Sequence, residues 1–534
     1  MRGIDSDVNE YTQKRASLIT AENALRFDAE AIAGATENEK RAAEIVDTLR
    51  VREVNEIWNA SEGSGMLMHP DMGFLTVRGA IMNTELYRTI KKLPKGGLLR
   101  GHMNTMCDVE FIYRLALDYP AIHIRVGSRI TPNAPLPLPE FKPLAPELAL
   151  EYANAPLLTS ADYTPGTWVS LGRARDGYSY GGPEAFDKWI IGLLAITDEP
   201  TKDDGTLDKT TAKFFKGYRV ARGIVCYEPV LKRFFRRILL SLVEDGVCYA
   251  EIRTNFSHKM DMREDGSETF SHRDYLVLFA EAVQEIKYKM KSEGREDEFV
   301  GAKLIYCVYR TFNKQKLQWY LEDCIALKAE FPELIAGFDF LGPESRGNLI
   351  WDYVESLIWF RQEMKRRELD IPFLFLVGEP MQNEKKAESN LYDALLLGAK
   401  RIGHGVNLTK HPLLMQMAKE KGVAVEVCSI SNELLGLTSL IHHPLTTLLN
   451  YGVPVVLCPD NPASYGYAGL SFDFFQAMVC SNKSNLLSLK QLAKQSLQYS
   501  CLNSEEMKSA HEAWERRWHS FVDGIVGGQL ESEN

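Results

Sequence analysis

The chain has 534 residues, 45% of them hydrophobic, enough to bury a large core and still carry appendages. A formal charge of -10 at pH 7 and a pI near 5.7 give no general attraction to a phosphate backbone, so nucleic acid is not an expected partner. Nine cysteines without a Cys-x-x-Cys pair read as reduced, buried thiols, and no signal-peptide core or membrane-length apolar run occurs, so a cytoplasmic protein without a membrane partner is expected.

Residues 1–92 read as an N-terminal helical arm. Leu18, Ala21, Leu25, Ala29 and Ile32 recur at helical spacing, followed by Ala43, Ile45, Val46 and Leu49. One such stripe needs a surface to cover it, which makes a packing or dimer face the expectation. The stretch Asn59 to Gly73, rich in Gly, Ser and Met, reads as a loop.

The first strand is predicted at Gly97 to His102 and ends in Arg100-Gly101-His102-Met103-Asn104. A long segment, about 109–197, then delays the second strand. Its six prolines between Ile130 and Pro146, and its Gly and Tyr residues between Tyr163 and Gly182, predict an insertion without regular strands. Phe214 to Leu242 reads as one apolar helical stretch feeding the second strand, Val247 to Thr254.

Further strands are predicted at Ala302 to Tyr309, Leu334 to Phe340, Phe373 to Val377, Arg401 to Gly405, Val423 to Cys428 and Val453 to Cys458. Helical patterns separate them, among them Asn390 to Leu397 closed by Gly398 and His411 to Lys421 closed by Gly422. Eight apolar strands alternating with helices predict an α/β fold, a (β/α)8 TIM barrel over 93–523, with a disordered tail at 524–534. Barrels of this kind carry their chemistry at the carboxyl ends of the strands. Here those ends hold Glu379, His404, Ser431 with Asn432, and Asp460 with Asn461, enough for one pocket with acid and base groups. The pair His442 and His443, before Pro444, reads as a helix N-terminus without metal-ligand spacing.

Seven segments carry a resemblance: Leu93 to Asn104, YAEIR at Tyr249 to Arg253, GFDFLG at Gly337 to Gly342, VGEP from Val377, RIGHG at Arg401 to Gly405, EVCSISN at Glu426 to Asn432, and Asp460 to Phe474. Together, and in this order, they resemble the adenosine deaminase family. The arm and the insertion are similar to its secreted growth-factor branch. The resemblance implies a zinc site built from a His-x-His pair, a third histidine and an aspartate. It also implies that Glu379 is the proton shuttle, His404 the histidine that orients the attacking oxygen, Asp460 an aspartate ligand and His102 a histidine ligand. Gly342 falls on the glycine whose backbone N–H meets the purine.

Four positions depart from that pattern. Arg100 stands at the first histidine ligand, Leu376 at the fifth-strand histidine, Asn104 at an aspartate and Asn461 at the ring-binding aspartate. His102 and Asp460 are then a remnant ligand set. No cofactor is expected, with zinc bound only if the remnant still holds it. Arg100, Asn104, Gly342 and Asn461 are candidates for substrate contact, and Glu379, His404 and Asp460 for catalysis. Three functions stay open: metal-independent acid/base chemistry on a small amine- or purine-like substrate, non-catalytic nucleoside binding, and zinc-dependent deamination of adenosine. A homodimer through the arm is expected.

Overall fold

The computed structural model describes residues 2–58, 69–70, 72–196, 207–379, 385–479, 481 and 484–528. Most of the predicted loop at Asn59–Gly73, Pro380 of the VGEP segment and the end of the predicted tail lie outside the described residues.

The first parallel strand, β1 (Gly96–Leu98), begins at a glycine with φ 74°, where a Cβ would meet the Ala493 carbonyl oxygen at 2.4 Å. The chain then leaves the barrel and builds a three-stranded antiparallel sheet from β2 (Ile122–Val126), β3 (Pro139–Pro143) and β4 (Val169–Ser170), in the order β3-β2-β4. This corrects the expectation of an insertion without regular strands. Ile122, Ile124 and Val126 alternate with His123 and Arg125, a half-buried strand pattern. The prolines are tolerated because Pro139 and Pro143 sit at the two ends of the edge strand β3, opposite Val126 and Ile122.

The predicted stretch Phe214 to Leu242 is two helices, Leu207–Val225 and Glu228–Glu244, with Pro229 in the first turn of the second. The remaining strands follow in chain order: β5 (Val247–Asn255), the small hairpin β6 (Met260–Asp261) and β7 (Phe270–Ser271), β8 (Gly301–Tyr309), β9 (Ile335–Leu341), β10 (Leu376–Val377), β11 (Arg401–His404), β12 (Ala424–Val427) and β13 (Val455–Leu457). Two parallel sheets, β1-β5-β8-β9 and β10-β11-β12-β13, are joined by parallel bridges Phe338 to Phe373 and Gly101 to Asp460. The result is a closed ring of eight strands with helices around it, the (β/α)8 barrel.

The inside of this barrel is partly ionic. On β5, Glu251 and Arg253 occupy alternate positions and are fully buried with Arg401, Glu426 and Asp339. Arg253 bonds Asp339 and Glu426, both at 2.7 Å. Arg401 bonds Glu426 at 2.8 Å and Glu251 at 2.6 Å. Further bonds to Glu251 come from the Tyr249 hydroxyl at 3.0 Å and the Cys501 N–H. Ile305, Cys307, Ala336, Leu341 and Leu374 form a small apolar cluster of their own beside it.

At the N-terminus, the helix Glu37–Glu53 is capped by Thr36 and Glu39 and buries Ala42, Ala43, Val46 and Leu49. It packs against the helices Leu486–Gln498 and Ser504–Val526, where Glu39 takes the Trp518 indole N–H and pairs with Lys490. The first helix, Arg2–Ala24, is exposed wherever its side chains are described. The final helix runs to Val526, past the predicted start of the tail at 524. Among the described residues no helix is long and apolar enough to cross a membrane.

Candidate active site

A cavity of about 290 Å³ opens at the carboxyl ends of the barrel strands. Arg100, His102, Gly342, Leu376, Glu379, His404, Asp460 and Asn461 all line it. Its roof is the helix Leu207–Val225, which contributes Phe214, Phe215, Tyr218 and Arg219. The sequence reads this helix only as part of an apolar stretch feeding the second strand; the doubled aromatic followed one turn later by Tyr218 is the signal that marks its inner face.

Arg100 is fully buried at the floor. Its Nε donates to Asp460 Oδ1 at 3.2 Å, its Nη2 lies 2.7 Å from His404 Nε2, and its Nη1 lies 3.5 Å from Glu426 Oε2 without a hydrogen bond. Asp460 is surrounded by donors. Oδ1 also meets His102 Nε2 at 3.2 Å, and Oδ2 accepts from Ser431 Oγ and Asn461 Nδ2, both at 2.7 Å. Burial alone would raise the Asp460 carboxyl, but Arg100, His102 and His404 hold it well below the usual range.

Two of these residues have left-handed backbone, His404 at φ 62° and Asp460 at φ 61°. Neither is glycine, so each stores strain where its strand ends in the cavity. For His404, burial and the nearby Arg100 charge push the imidazole well below its ordinary value, so the ring is neutral. Its Nδ1 is met by the Asn432 amide Nδ2 at 2.9 Å, and Asn432 Oδ1 is met by His443 Nε2 at 3.1 Å. The His443 ring in turn accepts the Leu445 backbone N–H at 3.2 Å. His443, which sequence spacing had left as a helix-start residue, therefore backs the site.

Glu379 faces this group, with Oε1 3.8 Å from His404 Nε2 and a side chain 18% exposed. Burial, with the charges of Glu344 and Asp460 near it, raises the Glu379 carboxyl to about 7. Its backbone N–H donates to the buried Glu344 carboxylate at 2.8 Å, and Glu344 also accepts from Asn390 at 2.9 Å. Glu344 follows the GFDFLG segment by two residues, and its position inside the wall was not read from the sequence. Behind the same wall, Arg310 bonds the Leu376 carbonyl at 2.7 Å while its Nε and Nη1 have no partner among the described residues.

Asn104 is not in this cavity. The 3₁₀ turn Met103–Thr105 after the first strand carries it to a separate polar space of about 30 Å³, beside Asn255, Arg222 and His272. A substrate contact at the barrel mouth is thus not what its placement offers. Asn461 lines the cavity, but its amide is engaged on the protein side, donating to Asp460 and accepting from Thr105 Oγ1 at 2.8 Å. Gly342, at φ 105°, keeps the wall free of a Cβ. Among the described residues, no group of three or more His, Cys, Asp or Glu side chains is placed to share a metal ion.

Comparison with known proteins adds to this geometry. Residues 205–513 match the family model described as adenosine deaminase. The chain is 30% identical over 496 residues to adenosine deaminase 2 of Sus scrofa, covering 92% of this chain and 90% of that protein. Among solved structures, an Arabidopsis N6-mAMP deaminase superposes with a TM-score of 0.54 at 15% identity, over 80% of this chain and 99% of that one. A Burkholderia ambifaria amidohydrolase with bound Zn gives a TM-score of 0.52 at 14% identity, over 83% of this chain and 95% of that one. At such identities the two structures speak for the fold alone.

Proposed function

The chain belongs to the adenosine deaminase family, and from that premise we propose that its cavity takes a small purine-like or amine-bearing ligand and moves protons on it through Glu379, without a metal ion. The observation that carries this reading is the Arg100 guanidinium lodged between Asp460 and His404. Zinc of the family type would need seats at positions 100, 102, 376 and 460, and the residues there do not fit it. A guanidinium has no lone pair to give and keeps its charge, leucine has no donor atom, and both Asp460 oxygens already serve protein donors. At an effective dielectric of about 20, a divalent ion roughly 4 Å from the guanidinium would be repelled by about 8 kcal/mol.

Glu379 supports the chemical half of the reading. A carboxyl at about 7 is shared between its two forms near neutral pH, so the same group can give and take a proton. In hydrolytic loss of an amine, the Glu379 carboxylate would take a proton from water as the water oxygen adds to the amine-bearing carbon. It would then pass that proton to the amine, which leaves as ammonia. Water that no metal polarises keeps a pKa of about 15.7 rather than about 7, so this turnover is slow compared with a metal-dependent relative.

That same cost favours a second reading, nucleoside binding without turnover. Metal content of the purified protein, measured beside an adenosine-to-inosine absorbance assay and calorimetry with inosine, separates the readings. Chelator-insensitive turnover by metal-free protein is the expected result, and binding without turnover selects the second reading. Stoichiometric zinc with turnover overturns both.

We propose further that two copies pair through the N-terminal arm. Leu18 is 71% and Leu25 76% exposed, an apolar stripe that nothing among the described residues covers. Leu18→Asp combined with Leu25→Asp should convert a dimer to monomers in sedimentation, and a full-length protein that is already monomeric at micromolar concentration would refute the pairing.

A further inference from the structure

Two carboxyls meet at the cavity wall, and the hydrogen-bond donors around them are divided unequally. Glu344 is buried in the 3₁₀ turn Glu344–Arg346, just past Gly342. The Glu379 backbone N–H donates to its Oε2 at 2.8 Å. On its other side stands Asn390, fully buried in the helix Lys385–Leu396. The Ile350 backbone N–H can only donate, so the Asn390 atom it meets at 2.8 Å is the amide oxygen, and the amide nitrogen is turned to Glu344 Oε1 at 2.9 Å. Both Glu344 oxygens therefore accept, which is the role of an ionised carboxylate. The Gly378 N–H and the Arg310 charge favour the same form, against a burial that raises the group.

Glu379 has the opposite surroundings. Among the described residues its carboxyl oxygens accept no hydrogen bond, and His404 Nε2 stands off at 3.8 Å. The titratable and charged groups facing it come from five elements: Glu344 after β9, Asp460 after β13, Arg100 after β1, Arg310 after β8 and the neutral His404 at the end of β11. Two carboxylates oppose a charge on Glu379 and two arginines favour it, and burial tips the balance, so this carboxyl is raised to about 7. Carboxyl pairs in unlike settings divide the acid and base states between them.

We propose that Glu344 is a positioning residue for proton transfer: it anchors Glu379 by the backbone N–H and keeps its own buried charge beside it, so that Glu379 carries the exchangeable proton to the ligand. This rests on the reading of Glu379 as the proton carrier. A neutral acceptor at position 344 would anchor the same N–H, so the charge of Glu344, and not the hydrogen bond alone, separates this role from a structural one.

The test follows Glu379 in the ligand-free protein by ¹³C NMR of labelled glutamate carboxyls, with its signal assigned by loss in Glu379→Gln. Glu344→Gln keeps the volume and one acceptor oxygen but removes the charge. The Glu379 titration should then move toward the ordinary carboxylate range, a fall in proton affinity of about tenfold or more, and Glu344→Asp should restore most of it. A folded Glu344→Gln protein in which Glu379 titrates as in wild type overturns the proposal, because a purely structural role gives that result whatever happens to stability. The wild type supplies a second measurement: its Glu379 signal should carry a second inflection where Glu344 takes up a proton. A single inflection overturns the proposal even if Glu344→Gln does not fold. Failure of the parent reading is distinct, since a wild-type Glu379 that titrates in the ordinary carboxylate range removes the proton carrier itself, and this proposal with it.

Discussion

Buried arginines occur on two levels of the same barrel, and they are satisfied differently. On the lower level, Arg253 and Arg401 share Glu426 between them and close the set with Asp339 and Glu251, every contact between 2.6 and 2.8 Å. On the upper level, Arg100 reaches Asp460 at 3.2 Å and His404 Nε2 at 2.7 Å, and leaves Nη1 3.5 Å from Glu426 without a hydrogen bond. A saturated network rigidifies the barrel, while an unsaturated one beside a cavity keeps donors available for a ligand. The two levels are also joined through Glu426, the one carboxylate that all three arginines approach. Burial by itself would raise the Glu426 carboxyl, and Arg253, Arg401 and Arg100 bring it below its ordinary value instead.

Glu426 is therefore where the comparison breaks most visibly. Glu426→Gln keeps the volume but removes the negative charge that three guanidiniums face, and breaking buried pairs in this way costs about 3–5 kcal/mol. Urea denaturation should show that loss, and a midpoint close to wild type would mean that the lower level is not an electrostatic unit. Arg100→Ala should cost somewhat less, about 3 kcal/mol, because Asp460 retains the donors His102, Ser431 and Asn461. The paired change Arg100→His with Leu376→His supplies two imidazoles beside His102 and Asp460 and should bring stoichiometric zinc into a metal analysis. Zinc-free protein after that change would show that more than these two residues separates this site from a metal centre.

The lower level was hidden in the sequence for a physical reason. Alternation of Glu251 and Arg253 with apolar residues is what a strand with one wetted face also shows, so periodicity cannot tell a barrel interior filled with ion pairs from solvent. The strands themselves were legible, because apolar runs ending at Glu379, His404 and Asp460 alternate with helices closed by glycine. Ring closure was expected from the count of eight strands alternating with helices, and the bridges Phe338 to Phe373 and Gly101 to Asp460 are where the structure makes it. Asn104 was a candidate for substrate contact because it falls on an aspartate position of the resembling family, and a single 3₁₀ turn carries it to another space. The roof failed similarly, because a helix pattern reports that a face is covered without saying whether protein or a ligand covers it.

A pH experiment sharpens the upper level. Glu379 rises from 4.5 to about 7 in the folded chain, so the folded state binds more protons than the unfolded one between those values. Its contribution is fully present below about 4.5 and is lost as pH rises through about 7. Glu379→Gln should then be more stable than wild type at pH 8, by about 2 kcal/mol after allowing for the solvent that its 18% exposed side chain still meets, and equal to it near pH 4. Equal stability at both pH values would mean that Glu379 is not held away from water, and its role as a proton carrier near neutrality would lose its footing.

The smallest expected effect lies at the boundary between the levels, on Ser431. Asp460 Oδ2 has two donors, Ser431 and Asn461, and Oδ1 has two more, so removing one hydroxyl leaves the carboxylate with three partners and no exposed charge. Ser431→Ala should cost about 1 kcal/mol, the net worth of one hydrogen bond whose acceptor keeps other donors. The Ser431 hydroxyl also lies 3.0 Å from the Tyr465 hydroxyl, so a larger loss would locate the extra energy in that second contact. Tyr465→Phe separates the two. If Asp460 is anchored as its contacts imply, Tyr465→Phe and Ser431→Ala together should cost only the Tyr465–Asn461 contact beyond Ser431→Ala alone, because the tyrosine reaches the carboxylate through Ser431 and Asn461 and not directly. A double variant that collapses would place Tyr465 among the groups that hold Asp460 in its left-handed backbone, and would move the saturated level up to the cavity floor.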